Sequence, residues 1–230
     1  MISHSNIVDN SNNQCVILLH GMGRSRLAML RLQKHLQSLG YWVWNQSYPS
    51  TSFAIEYLSS SVIPQALEAC RSQSGRSGRI HFVTHSLGGI LVRHYLQQHA
   101  IDELGRVVML GPPNKGSEVV DKISGWPFFR WSTGPAGQQL GTDAASIPNR
   151  LKRIDAKIGI IAGNRSSDPW FSGLFKGKND GKVSVESTRL EEMSDFLEMN
   201  VGHTLMMWDR RVLKQVAYFL KEGQFSDKPL

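Results

Sequence analysis

The stretch HFVTHSLGGILVRHYL, His81 to Leu96, passes from strand-forming to helix-forming residues with only His85-Ser86-Leu87-Gly88 in between. Strands usually end in turn residues and helices usually open on a cap; here one serine serves both purposes. A turn that tight lifts the Ser86 hydroxyl above the carboxyl edge of a sheet, where open α/β structures place ligands. The residues two before and two after the serine must then be small. Gly88 meets that requirement, whereas Thr84 departs from it and adds crowding at a strained position. Ser86 therefore reads as a nucleophile, the plainer alternative being a helix N-cap. A hydroxyl is unreactive at neutral pH without a neighbouring base and without donors for the oxyanion that develops on its target. The Leu87 N–H, at the positive end of the following helix, is one such donor. The stretch LLHGMG, Leu18 to Gly23, suits the other, because its small residues let the backbone approach a bound carbonyl; that donor is assigned to the Met22 N–H.

The elements that would carry these groups alternate along the chain. Apolar or β-branched runs at Cys15–His20, Tyr41–Pro49, Arg79–His85, Gly105–Gly111 and Lys157–Gly163 read as strands, with a weaker one at Asp195–Asn200. Helical patterns fall between them. SRLAMLRLQKHLQSLG repeats leucine at 27, 30, 32, 36 and 39 and ends on Gly40. FAIEYLSSSVIPQALEACRSQ is a second helix that Pro64 is expected to break or kink. LGGILVRHYLQQH is a third, and TLMMWDRRVLKQVAYFLKEG closes the chain. The alternation predicts an α/β fold: a mainly parallel central sheet of about six strands flanked by helices. One stretch breaks the rhythm. Residues 112–156 are too long for a simple connection, and their aromatics suggest a cap over a site.

VILLHGMGRS, HFVTHSLGGI, LGPPNKGS and NDGKVSVEST…GHTLMM, in this order from Val16 to Met207, resemble the bacterial lipase/esterase branch of the α/β-hydrolase fold. The resemblance covers nearly the whole chain, as a single domain with a cap or lid insertion at about 112–156. It departs from the family at Thr84, and in beginning at what would be the family's third strand, as the smaller lipases do. The resemblance implies that Ser86 attacks an ester carbonyl, that the Met22 and Leu87 N–H groups hold the oxyanion, and that an Asp and a His complete a triad. The chain order of that fold is Ser, acid, His, with the His on a loop after the final strand. Of the eight histidines only His203, in NVGHTLMM, lies in that place. His4, His20, His35, His81, His85, His94 and His99 fit strand ends or helix faces. His85, beside the nucleophile, is expected to buttress the oxyanion loop with its ring turned from the substrate. Asp168 and Asp180 both follow the fifth strand. Asp180 lies in the family's Asp-Gly-x-Val pattern and is favoured; Asp168 precedes Pro169 as a turn residue would. Asp195 and Glu198 lie too near His203 in sequence. A structural Ca²⁺ at Asp168, found in some related lipases, has no clear ligand cluster here, and neither a metal nor a cofactor is expected.

Substrate class rests on SGWPFFRW, where Trp126, Phe128, Phe129 and Trp131 would line an acyl pocket or else pack the cap itself. Either way the roof is apolar and suits a carboxylic ester with a hydrophobic acyl chain; charged or sugar substrates fit less well. A thioesterase, deacylase or acyltransferase would use the same triad, and a non-catalytic binding module on this fold would be expected to lack a member of it. Neither a P-loop nor a dinucleotide glycine fingerprint occurs, which disfavours nucleotide chemistry. The chain of 230 residues carries 26 Lys and Arg against 19 Asp and Glu, a net +7. These cations are scattered rather than blocked with aromatics, so no nucleic-acid partner is expected, while weak association with acidic lipid surfaces is. The polar N-terminus does not read as a signal peptide and no apolar run is long enough to span a membrane, so a cytoplasmic protein is expected. Cys15 and Cys70 are expected as buried, reduced thiols.

Overall fold

Strand β1 (Cys15–Leu19) is buried at every position, since a strand covered on both faces has no solvent side to keep polar. Its side chains alternate. Ile17 and Leu19 enter one core, with α2 (Ile55–Arg71) and α3 (Leu87–Leu96). Val16 and Leu18 enter the other, with α1 (Leu30–Ser38) and the C-terminal helix. Strands β2 (Trp42–Trp44), β3 (Ile80–His85), β4 (Leu104–Leu110), β5 (Lys157–Gly163) and β6 (Asp195–Met199) complete one six-stranded sheet in the order β2-β1-β3-β4-β5-β6. Every neighbouring pair is parallel. The helices α4 (Glu118–Ile123), α5 (Pro127–Gln138), α6 (Ile147–Arg150), α7 (Val185–Thr188) and α8 (Arg210–Glu222) follow in chain order, with short 3₁₀ turns at Arg26–Met29 and Met206–Trp208. This computed structural model describes residues 14–73, 78–166, 175 and 177–228, with 127–130 described in backbone only.

The α/β architecture expected from the sequence is the one observed. Its strand order reverses between β1 and β3, so the carboxyl ends of these two neighbours flank the switch point at which parallel sheets open a crevice. The loop that carries Met22 follows β1, and Ser86 follows β3. Topology alone therefore brings the two together across a sequence gap of more than sixty residues.

Pro64 does not break its helix, which runs unbroken from Ile55 to Arg71. Proline removes the bond to the carbonyl four residues earlier, and both Pro64 and Ser60 lie on the exposed face, where that carbonyl is open to solvent. The last helix also starts later than its apolar pattern suggests. Residues 206–208 form a separate 3₁₀ turn, and Asp209 caps α8 by accepting from the Arg211 and Val212 N–H groups. Cys15 and Cys70 are joined in a disulfide, not held as free thiols. One opens β1 and the other lies in the last turn of α2; packing that helix on the sheet brings their Cα atoms to 5.9 Å.

Residues 112–156 fold as three short helices held to α3 by Arg93. That side chain is buried, with no carboxylate bonded to it among the described residues, and donates to the Asn114 carbonyl at 3.0 Å, Asn114 Oδ1 at 3.2 Å and the Leu151 carbonyl at 3.2 Å. Burial pushes its pKa down to about 10, which still leaves it charged at neutral pH. Both ends of the insertion are thereby fixed to α3. Among the described residues no helix is long and apolar enough to cross a membrane.

Candidate active site

Ser86 has φ 52° and ψ −118°, and among the described residues no other non-glycine has positive φ. Such a conformation costs about 1–3 kcal/mol and persists only where the surroundings enforce it. Its N–H still bonds the Leu110 carbonyl at 2.9 Å, so β3 is held to β4 up to the serine itself. On the other side, a Cβ at Gly88 would stand 2.7 Å from the Leu19 carbonyl oxygen, which is why the helix can begin so close to β1. The crowding expected at Thr84 is relieved by the second glycine. A Cβ at Gly89 would sit 3.3 Å from the Thr84 hydroxyl, and its absence leaves the threonine room.

The imidazole of His203 donates from Nδ1 to Asp180 Oδ2 at 2.7 Å, and the His203 N–H donates to the Asp180 carbonyl at 3.0 Å. Both residues are buried. The other carboxylate oxygen, Oδ1, accepts from the N–H groups of Lys182 at 3.0 Å and Val183 at 2.9 Å. Asp180 is thus fixed by the turn that follows it and has one oxygen left for the histidine. With Nδ1 donating, the neutral ring keeps its lone pair on Nε2. Gly111 makes the pairing possible. It has φ +53°, and a Cβ there would lie 2.9 Å from Asp180 Oδ2 and 3.1 Å from His203 Nδ1.

Ser86 and His203 line one cavity of about 300 Å³. The hydroxyl makes no hydrogen bond to the imidazole in this structure, a gap that ligand-free sites commonly close only in the substrate complex. Apolar side chains dominate the wall: Met22, Val119, Val120, Ile123, Leu140 and Val183. Of these, Val119, Val120, Ile123 and Leu140 come from the 112–156 insertion. Of the four aromatics expected to line it, the two tryptophans do not. Trp126, just before α5, and Trp131, within it, lie outside the lining and are 63% and 80% exposed; the Phe128 and Phe129 side chains fall outside the described residues, as does Asp168. Arg24 and Lys182 also line the cavity, and among the described residues no carboxylate does.

Two further histidines set the geometry, one of them in a way its sequence position did not disclose. His20 accepts the Tyr48 N–H at Nε2 (3.2 Å), so its Nδ1 carries the proton and donates to the Gly21 carbonyl at 2.9 Å. Tyr48 stacks on the ring and its hydroxyl donates to the His20 carbonyl. In a planar trans peptide the Gly21 carbonyl and the Met22 N–H point opposite ways, so the Met22 N–H faces away from His20. Among the described residues that N–H has no hydrogen-bond partner. His85 was expected to buttress the loop after β1. Its ring also reaches His203: Nε2 donates to the His203 carbonyl at 3.0 Å, and the two rings lie 4.7 Å apart. Burial, then the neighbouring His203, hold the His85 pKa well below its ordinary value, so it stays neutral with a bare Nδ1. That nitrogen is buried and unpartnered, and faces Gly21, where a Cβ would stand 2.7 Å from it. Asp195 and Glu198 are committed elsewhere, to the Phe225 N–H and to Asn164 and Lys178. Among the described residues no three His, Cys, Asp or Glu side chains converge as a metal site.

No protein-family model and no curated protein sequence matches the chain. Solved structures do. The mature lipase BlEst2 of Bacillus licheniformis superposes with a TM-score of 0.76 at 16% identity over 96% of this chain and 95% of its own. The phospholipase PlaB of Legionella pneumophila gives 0.71 at 14% identity over 92% of this chain and 60% of its own. The metagenomic carboxyl esterase MGS0156 gives 0.67 at 16% over 92% and 76%. The chain has the α/β-hydrolase fold of these lipases and esterases.

Proposed function

We propose that this chain is a serine hydrolase of carboxylic esters with hydrophobic acyl chains. Ser86 is the nucleophile, His203 the general base, and Asp180 the group that fixes the His203 tautomer and stabilises the imidazolium without taking its proton. What carries the reading is that the strained elbow serine and the Asp180-bound histidine open onto one mainly apolar cavity. In the first step Nε2 takes the Ser86 proton as Oγ adds to the ester carbonyl. The N–H groups of Met22 and Leu87 receive the oxyanion, each worth about 3–4 kcal/mol at the transition state. The imidazolium then protonates the leaving alcohol, and water hydrolyses the acyl-enzyme by the same route. The wall from Val119 to Leu140 houses the acyl chain. The Cys15–Cys70 disulfide favours an oxidising compartment over the cytoplasmic placement expected from the sequence.

Hydrolysis of p-nitrophenyl esters of increasing chain length tests this, with Ser86→Ala beside the wild type. Wild-type turnover on medium or long chains should fall by at least about 1,000-fold in the variant. Equal rates in both proteins would remove Ser86 from its role. A thioester panel run in parallel separates an esterase from a thioesterase.

A further inference from the structure

Three large apolar side chains stand out in solvent beside the mouth of the cavity. Leu27 is 57% exposed, Leu205 68% and Trp208 43%. Leu27 and Trp208 lie in the two 3₁₀ turns and Leu205 just before the second, and they line two shallow depressions that share Thr204, Leu205 and Trp208. Arg24 and Thr204 belong both to this surface and to the cavity wall, so the apolar crest is continuous with the mouth. Its position is fixed, because Arg31 holds the Trp208 carbonyl at 2.6 Å.

The charge around the crest is one-sided. Residues 10–55 contain no Asp or Glu and carry Arg24, Arg26, Arg31 and Lys34; residues 200–208 contain no acid either. Arg165 and Arg211 edge the second depression, where Asp209 is taken up by Arg211 at 2.7 Å. An exposed apolar crest ringed by cations fits a surface with anionic heads over an apolar interior. A second copy of this chain fits poorly, since a two-fold contact would set these arginines against themselves. We propose that this face docks on anionic phospholipid bilayers, seating Leu27, Leu205 and Trp208 among the acyl chains and the arginines among the phosphates, with the cavity mouth held at the lipid surface. The surface stands on its own whether or not the cavity hydrolyses esters.

The full chain carrying Ser86→Ala, so that no lipid is consumed, is sedimented with phosphatidylglycerol–phosphatidylcholine vesicles and with phosphatidylcholine vesicles alone. It should partition onto the anionic vesicles and be released by about 0.5 M salt, which shortens electrostatic reach to a few ångströms. Leu27→Glu, Leu205→Glu and Arg26→Glu should each weaken partitioning about tenfold. Equal partitioning onto both vesicle types, or undiminished binding by Leu27→Glu and Leu205→Glu, overturns the proposal. So does self-association in sedimentation velocity that the same substitutions abolish, which would make the face an interface between copies. In a chain that keeps Ser86, Leu27→Glu and Arg26→Glu should leave hydrolysis of a soluble short-chain ester unchanged; if they abolish it, the face is not a separate docking surface. Vesicle binding without any ester hydrolysis would defeat the catalytic reading and leave this one standing.

Discussion

His85 couples two parts of the site that lie 118 residues apart in sequence, because the residue beside the proposed nucleophile holds the main chain of the proposed base. Replacing it by Phe keeps a ring in the space while removing the donor, which leaves the buried His203 carbonyl unpaired at a cost of about 1–3 kcal/mol. A base carried on a loosened loop meets Ser86 less often, so kcat should fall about 10- to 100-fold with KM little changed. Steady-state kinetics on a p-nitrophenyl ester reads both; a KM effect alone, or no effect, would leave His85 a packing residue only. Much at this scale was legible in sequence. The Ser86 turn declares itself through Gly88, and His203 through its place in chain order. Gly111 and His85 were not legible as parts of the Asp180–His203 arrangement, because their roles are made by contacts between segments: a missing Cβ against one pair, a ring nitrogen against a distant carbonyl.

Elements were read from period and composition, and these succeed where one element has one environment. β1 is apolar throughout, and β5 is so after Lys157, because both faces are covered, and α1 shows its leucine stripe because one face is not. The insertion is different. α4 and α6 span 6 and 4 residues, too short for a helical period to show, and α5 is interrupted at Gly134, whose φ of 60° and ψ of −161° are not helical. The same limit hid the disulfide, since two cysteines 55 residues apart carry no spacing signal until α2 packs on the sheet. That bridge ties the start of β1, the strand that leads to the Met22 loop, to the end of α2. Closing a loop of this length constrains the unfolded chain and stabilises by about 2–4 kcal/mol. The double substitution Cys15→Ala and Cys70→Ala should therefore lower Tm by about 5–15 °C. The wild type in reductant should show a comparable drop, and an unchanged Tm in both would mean that the crosslink does not limit stability.

Acid should unsettle the whole molecule through its buried histidines before it reaches its carboxylates. His20 and His85 both have pKa values pushed below the ordinary one by burial, and both use a ring nitrogen as a bare or accepting atom in the fold. Above the unfolded value near 6.5 the native and unfolded chains are equally unprotonated at these sites, and pH has no grip on stability through them. Below it the unfolded chain takes up protons that the native chain refuses. Stability then falls by up to about 1.4 kcal/mol per pH unit for each such histidine, until the native pKa is reached. His35 and His94, which are only partly buried, add in the same direction and less. The carboxylates held low by hydrogen-bonded cations, such as Asp209 by Arg211 and Glu198 first by Lys178, enter only at more acid pH, because their unfolded values already lie near 4. The interval from about pH 7.5 to about pH 5.5 thus isolates the imidazoles. Urea midpoints measured at its two ends should drop toward the acid side, and the drop should be smaller in His85→Phe, which has one fewer site for the unfolded chain to protonate. Equal midpoints at both pH values, or a drop that the substitution leaves untouched, would mean that these rings protonate in place without cost to the fold.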